Sequence, residues 1–163
     1  MTTPTAPAGA PHELVVESPI GNLLLRANDR ALTHLLLPNA HAGRPGRRTP
    51  TGSVHLDQAA AQLDEYFAKE RRVFSLTLEP TGTPFQVQVW TSLADIPYGE
   101  TISYAELAAW VGRPQAFRAV GQANGANPLA VMLPCHRVIA SGGGLGGYGG
   151  GLETKTRLLE LEQ

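Results

Sequence analysis

Cysteine is all but missing from this sequence: one residue in 163, Cys135. A single thiol excludes an internal disulfide framework, a CxxC redox pair and any zinc site built on thiolates. It suits a chain kept in a reducing compartment, and the expected location is the cytoplasm. Long apolar runs are lacking as well. None reaches the roughly 18 residues needed to span a bilayer, so no membrane partner is expected. Residues 1–11 carry Thr, Pro and Ala with neither a basic start nor an apolar core. That excludes a secretory signal in this stretch, which reads as a disordered tail. Net charge is also small, at -1, which argues against nucleic-acid binding through bulk charge.

The charge that is present is unevenly placed. From Leu107 to Leu152 there is no Asp, Glu or Lys, and Arg113, Arg118 and Arg137 stand without a compensating acid. Such a stretch is a weak pointer to a polyanion and otherwise an ordinary property of small, glycine-rich segments.

Turn residues and periodicity divide the chain into an N-terminal α/β domain, 12–80, and a mostly helical C-terminal domain, 83–163. In the first, His12–Glu17, Asn22–Ala27 and Leu32–Leu37 have strand character. The Pro- and Gly-rich segment 38–53 is a loop carrying Arg44, Arg47 and Arg48. Leu56–Ala68 has helical periodicity, with Leu56, Ala59, Ala60, Leu63 and Phe67 on one face. Val73–Leu78 alternates like a further short strand. The expectation is a small antiparallel sheet with one helix against it and no catalytic constellation.

The second domain opens with Thr83-Pro84, a capping hydroxyl followed by proline at the first helical position. Ser103 and Glu106 form an S-x-x-E capping box, and Gly112 and Pro114 end that helix. Another helix is expected over Gln115–Ala123, apolar at Phe117, Ala119 and Val120. Two short helices joined by a Gly-Arg-Pro turn have the length and punctuation of a helix-turn-helix. The second of them is slim, with Arg118 as its one charged side chain, and so could approach a nucleic-acid backbone closely. A last helix spans about Glu153–Leu161, with Leu158, Leu159 and Leu161 facing inward.

Within this domain lies Pro134-Cys135-His136-Arg137-Val138-Ile139. A lone cysteine among apolar residues is commonly an inert core residue, but His136 and Arg137 are odd company for one. A reactive thiol needs a group that creates or stabilises its thiolate. His136 could take the proton, and an acid could orient the imidazole: Glu162, with Glu160 and Glu153 as alternatives. In an extended segment adjacent Cys and His side chains face opposite ways, so a bridging water is expected between them. Tyr104, Asn127 and Tyr148 could hold a small heteroaromatic ligand, although Asn127-Pro128 is also an ordinary turn signal. The glycines of 142–151 match neither G-x-G-x-x-G nor a Walker A loop, so no cofactor is expected.

From Thr83 to Glu162 the sequence resembles the O6-alkylguanine-DNA alkyltransferases, the methylated-DNA–protein-cysteine methyltransferases. The resemblance rests on Thr83-Pro84-Phe85-Gln86, Val89-Trp90, Ile96-Pro97-Tyr98-Gly99, Thr101-Ile102-Ser103-Tyr104 and Arg118-Ala119-Val120-Gly121. It continues through Asn127-Pro128, the Pro134–Ile139 stretch, Gly147-Tyr148-Gly149-Gly150 and Leu158-Leu159-Glu160-Leu161-Glu162. It implies an α+β chain with a ribonuclease H-like first domain and a winged-helix-like second domain. It also implies a single-turnover, monomeric repair protein that binds double-stranded DNA and flips out an O6-alkylated guanine. Cys135 would accept the alkyl group, His136 would deprotonate it through water, Glu162 would orient His136 and Asn127 would brace the turn. Tyr104, Arg118 and Arg137 would contact DNA, with Arg118 filling the gap left by the base. Tyr148 and Gly149 would line the pocket, and the backbone N–H groups of Cys135 and its neighbourhood would read the guanine edge. The helix bearing Arg118 would enter the minor groove.

Gly149 stands where some members carry serine, which removes one donor toward O6. Alkyltransferase-like relatives that bind lesions without repairing them have tryptophan at the position of Cys135. A non-catalytic lesion-recognition protein is the alternative function; it would bind damage and gain no mass. A cysteine hydrolase, the third class, would turn over and would leave the basic stretch unexplained.

Overall fold

The computed structural model describes residues 12–41 and 51–163. The expected tail at 1–11, and the part of the basic loop with Arg44, Arg47 and Arg48, lie outside the described residues. The chain separates into two compact units that divide between Glu79 and Pro80.

In the first unit, β1 (His12–Val16), β2 (Leu23–Ala27) and β3 (Leu32–Leu36) form an antiparallel sheet in that order. Alternate side chains of a strand face opposite ways, yet Leu14 and Val15 are both buried, as are Leu23, Leu24 and Leu25. Asn28 makes the turn from β2 to β3, its Oδ1 accepting from the N–H groups of Arg30 and Ala31 at 2.8 Å each. Helix α1 (Val54–Phe67) starts at Ser53, whose hydroxyl accepts from the Leu56 N–H. It packs on all three strands.

Two expectations change here. Tyr66, at 0 % exposure, completes the buried face of α1 in place of Phe67. Positions 56, 59, 60, 63 and 66 keep the helical stripe, and the Phe67 ring meets Tyr66 edge-on at 5.1 Å. Val73–Leu78 is not a strand. Only Leu78 bridges to the sheet, parallel to Leu32. Upstream, Ser75 gives its N–H to Gln62 Oε1 at 2.8 Å and its carbonyl accepts from Gln62 Nε2 at 3.1 Å. A side chain of α1 satisfies the groups a ladder would have used.

The second unit is built on helices α2 (Pro84–Leu93), α3 (Tyr104–Trp110), α4 (Phe117–Gly125) and α5 (Leu152–Leu161). Both capping signals fold as full boxes. Thr83 accepts from the Gln86 N–H and Gln86 accepts from the Thr83 N–H. Ser103 and Glu106 do the same for α3. Each cap is worth about 1 kcal/mol. The short strands β4 (Ile102–Ser103) and β5 (Val138–Ile139) pair in parallel, with Ile102 opposite Val138. That pairing sets the start of α3 beside the end of the cysteine-bearing turn.

The core of this unit is Val89, Trp90, Leu93, Ile96, Leu107, Val120, Val138 and Leu158. Each large side chain contributes roughly 1.5–3 kcal/mol of burial. Trp90 also donates from Nε1 to the Ala123 carbonyl at 2.7 Å, fixing α4 to α2. Helix α4 buries Val120, Ala123 and Asn124, not Phe117 and Ala119. The helix begins two residues later than expected, so Phe117 is its first residue; it lies on the same stripe as Val120 and Asn124 but at the uncovered end, and is half exposed. On α5 the inward line is Lys155, Leu158 and Glu162, while Leu159 and Leu161 are only partly covered.

Candidate active site

Residues 127–137 form a compact turn that places the thiol. Asn127 staples both sides of it: Nδ2 donates to the Leu133 carbonyl at 2.7 Å, and Oδ1 accepts from the Leu129 N–H at 2.9 Å. Between those points Val131 has φ +72°, a left-handed conformation costly for a β-branched residue, on the order of 1–3 kcal/mol. The turn therefore persists only because its surroundings hold it. The Cys135 N–H donates to the Leu133 carbonyl at 2.8 Å. It is committed internally, so of the N–H groups around the thiol expected to read a guanine edge, this one is already taken.

Cys135–Arg137 is a single 3-10 turn, not an extended segment. Successive side chains therefore diverge by about a third of a turn instead of lying on opposite faces. His136 is fully buried, and its Nε2 lies 2.8 Å from Glu162 Oε2. The carboxylate can only accept, so Nε2 carries the hydrogen and Nδ1 keeps the lone pair. Nδ1 is buried and has no hydrogen-bond partner among the described residues. Of the three candidate acids, Glu162 is the one that reaches His136; Glu153 pairs with Arg157.

Arg137 corrects a second assignment. Its guanidinium gives Nε and an Nη to the two oxygens of Glu162, each at 2.9 Å, and the other Nη to the Ile96 carbonyl at 2.6 Å. It also lies over the Tyr98 ring at 5.7 Å. A guanidinium so occupied and buried has nothing left to offer DNA. Its part is to hold Glu162, which in turn holds His136. Gly99 supports the same corner: with φ +80° and 3.0 Å from a built Cβ to the Glu162 carbonyl, any side chain there would be strained.

The electrostatics favour a neutral resting pair. Burial pushes the Cys135 thiol up, against hydrogen bonding with Asn127 and Tyr148 and the charge of Lys155. Burial pushes the His136 imidazole down, against the pull of Glu162. Thiol and free imidazole are the forms present at rest, which suits a base that acts when substrate arrives.

Two buried residues escaped the sequence reading. Lys155 has no exposure, and its ammonium donates to the Val138, Leu145 and Gly147 carbonyls. It thereby pins the glycine-rich loop to β5, and burial pushes its pKa down. The i, i+3, i+7 spacing of Lys155, Leu158 and Glu162 marks both charges as inward-facing, since Leu158 is plainly apolar. Asn124, on α4, donates from Nδ2 to the Cys135 carbonyl at 3.3 Å. Nothing in its local sequence separates it from a helix-ending Asn-Gly.

The glycine loop meets Tyr104. The tyrosine hydroxyl donates to the Gly147 carbonyl at 3.3 Å, and its ring lies 5.9 Å from the Lys155 ammonium. Gly146 has φ +70°, and a Cβ there would come within 2.9 Å of the ring. Burial, then the nearby Cys135, pushes the Tyr104 phenol up. Tyr148 is half-buried beside the thiol and Gly149 is exposed. A Cβ on Gly149 would meet only the Gly125 carbonyl, at 3.7 Å, an ordinary contact.

Arg118 is exposed on α4 between half-exposed Phe117 and exposed Ala119, with no acid on that helix. Among the described residues no group of three or more His, Cys, Asp or Glu is placed to hold a metal ion. No helix there is long and apolar enough to cross a membrane.

A helix-turn-helix unit with a cysteine on a braced turn, backed by a histidine–carboxylate pair, defines a class of DNA-binding proteins with a thiol centre. The chain belongs to the 6-O-methylguanine DNA methyltransferase family. Residues 84–163 match its DNA binding domain and residues 12–80 its ribonuclease-like domain. Similar proteins include a methylated-DNA–protein-cysteine methyltransferase of Methanosarcina barkeri, 45% identical over 153 residues, covering 91% of this chain and 95% of that one. One from Mycobacterium leprae is 48% identical over 150 residues, covering 91% and 90%. A crystal structure of Mycobacterium tuberculosis OGT in complex with DNA superposes with a TM-score of 0.81 at 44% identity, covering 93% of this chain and 92% of that one.

Proposed function

We propose that Cys135 is the acceptor in a direct-reversal repair reaction on duplex DNA. The protein takes an alkyl group from O6 of guanine onto its own cysteine, once and irreversibly. The observation that carries this reading is the buried Cys135, His136 and Glu162 arrangement, set on the turn reached by the Arg118-bearing helix.

A base atom inside a duplex is out of reach of a buried thiol, so the guanine has to leave the stack, at a cost of a few kcal/mol. Helix α4, which carries no acid, lies against the minor groove, and Arg118 occupies the space the base vacates. Tyr104 contacts N3 of the flipped base and turns the neighbouring phosphate, while Tyr148 lines the pocket.

The Cys135 proton passes to His136 Nδ1, through a water, and the imidazolium is stabilised by Glu162. The sulfur then attacks the alkyl carbon as the carbon–oxygen bond breaks. The electron pair stays on guanine, which takes up one proton to become the normal base. The resulting thioether has no easy return to a thiol, and one turnover consumes the protein. The need for a reduced thiol supports reading it as cytoplasmic, and one chain holds every group the step uses, which is why we read it as acting as a monomer.

The test is intact mass after mixing the protein with a duplex containing one O6-methylguanine. The expected result is a gain of about 14 Da per chain, abolished in Cys135→Ala with duplex binding retained. Tight binding with unchanged mass would instead identify a lesion marker.

A further inference from the structure

One side chain connects the DNA-facing helix to the backbone that carries the thiol. Asn124 lies on α4, one and a half turns or so beyond Arg118, and is 4 % exposed. Its Nδ2 donates to the Cys135 carbonyl at 3.3 Å. A carbonyl only accepts, so this bond fixes the orientation of the amide and leaves Oδ1 directed elsewhere. Oδ1 is buried and makes no hydrogen bond of good geometry among the described residues. A buried acceptor left in that state is costly and marks a place where a donor belongs.

The donor at hand is Tyr104. Its hydroxyl now makes a long, exposed bond of 3.3 Å to the Gly147 carbonyl. Asn124 is nevertheless close enough to draw the Tyr104 phenol down, against burial and Cys135. A phenolic hydroxyl rotates freely between acceptors, so a small shift of α4 decides which of the two it uses.

We propose that Asn124 is a positioning residue that couples the seating of α4 on DNA to the reactive turn, holding the Cys135 carbonyl through Nδ2 and taking the Tyr104 hydroxyl on Oδ1. The two halves of the amide have separate tasks. Nδ2 fixes where the thiol sits relative to the helix that reads the duplex. Oδ1 fixes the tyrosine, and transfer of its hydrogen bond from Gly147 frees the loop carbonyl as the pocket fills. The inference rests on the roles given above to Cys135 and Tyr104.

The experiment compares wild type, Asn124→Leu, Asn124→Asp, Tyr104→Phe and the Asn124→Leu/Tyr104→Phe double variant. Single-turnover methyl transfer is measured at saturating duplex carrying one O6-methylguanine, beside the duplex Kd. Wild type that gains no methyl group overturns the functional reading itself. With wild type active, Asn124→Leu should slow transfer about tenfold or more while the duplex Kd stays within about threefold. The double variant should lose less than the product of the two single losses, since the two changes remove one shared bond as well as separate ones. Asn124→Asp keeps the shape and the acceptor but, at about pH 8, has no donor for the Cys135 carbonyl, and it too should slow transfer. Should Asn124→Leu fail to fold, the near-isosteric Asn124→Asp carries the test. Wild-type transfer rates in the Asn124 variants, strictly additive effects with Tyr104→Phe, or equal losses of rate and affinity each overturn the inference while leaving the function intact.

Discussion

His136 Nε2 lies 2.8 Å from Glu162 Oε2, with neither side chain more than 1 % exposed. The same carboxylate receives two hydrogen bonds from Arg137. One buried anion thus sets the tautomer of the base and neutralises a buried cation, so function and stability share a single group.

Glu162→Gln separates the two. Glutamine still accepts from Nε2–H, but the guanidinium of Arg137 is left buried without an anion, at a cost of about 3–5 kcal/mol. The imidazolium formed during transfer also loses its stabilising charge, and transfer should slow at least about 100-fold. Urea denaturation and single-turnover transfer read the two effects. A stability loss with an unchanged transfer rate would assign Glu162 to the fold alone.

Stability should fall on both sides of a plateau in pH. His136 is held below its ordinary value of 6.5 in the folded state. Its contribution is therefore complete above about pH 6.5 and is lost as pH drops toward the folded value, because the unfolded chain takes up the proton first. Cys135 is held above its ordinary value of 9.0, so its contribution is complete below that pH and is lost as pH rises beyond it. Urea midpoints across this range should show the low-pH decline reduced in His136→Asn, with the part from the depressed His34 left, and the high-pH decline reduced in Cys135→Ala, with the part from the raised Tyr104 left.

Asn127→Ala removes both staples of the turn. Two part-buried hydrogen bonds at about 0.5–1.5 kcal/mol each are lost, and the strained backbone at Val131 is free to relax. Loss of transfer should exceed what the stability change alone produces, read as rate at a temperature where the variant remains fully folded. A variant with normal transfer would show that Asn127 is only a turn residue.

Arg118→Ala should leave stability within about 0.5 kcal/mol, since the side chain is exposed. Duplex affinity and transfer should both fall, and the salt dependence of binding should lessen by about one unit of slope. Transfer from a lesion already unpaired by an opposing mismatch should suffer less, because less work remains to empty the stack.

Gly149→Ser has room for its side chain and should be neutral for folding, again within about 0.5 kcal/mol. A hydroxyl there would supply a donor toward O6, and the expected outcome is faster transfer from both methyl and benzyl adducts. Equal rates for the glycine and serine forms would mean that the leaving oxygen is served by other groups.

The reactive stretch was readable because its chemistry is contiguous: Cys135 and His136 are neighbours, and thiol plus imidazole is rare by chance. The helix starts at Thr83 and Ser103 were readable because capping is a local contract among four residues. What failed depends on distant partners. Val73–Leu78 alternates like a strand, but Gln62 on α1 intercepts its backbone. Arg137 looks outward in sequence and is drawn inward by Glu162, a residue 25 positions away. Lys155 needs three carbonyls from another segment to explain its burial, and Asn124 needs the Cys135 carbonyl; no local pattern encodes either. Phe117 lies half exposed because the helix starts at it, two residues later than expected, and helix boundaries are what propensity resolves least well.

The position of Asn124 has a bearing on how the purified protein ages. It is followed by Gly125 at the very end of α4, and an asparagine before glycine is the amide most open to attack by the next backbone nitrogen, because no Cβ stands in the way. Helical geometry keeps that nitrogen turned away as long as the last turn stays wound. Each fraying of the helix end therefore admits slow cyclisation and hydrolysis to aspartate, a chemical clock set inside the link between helix and thiol. Stored samples should lose transfer capacity in step with a mass increase of about one dalton at this peptide, while Cys135 stays fully reduced.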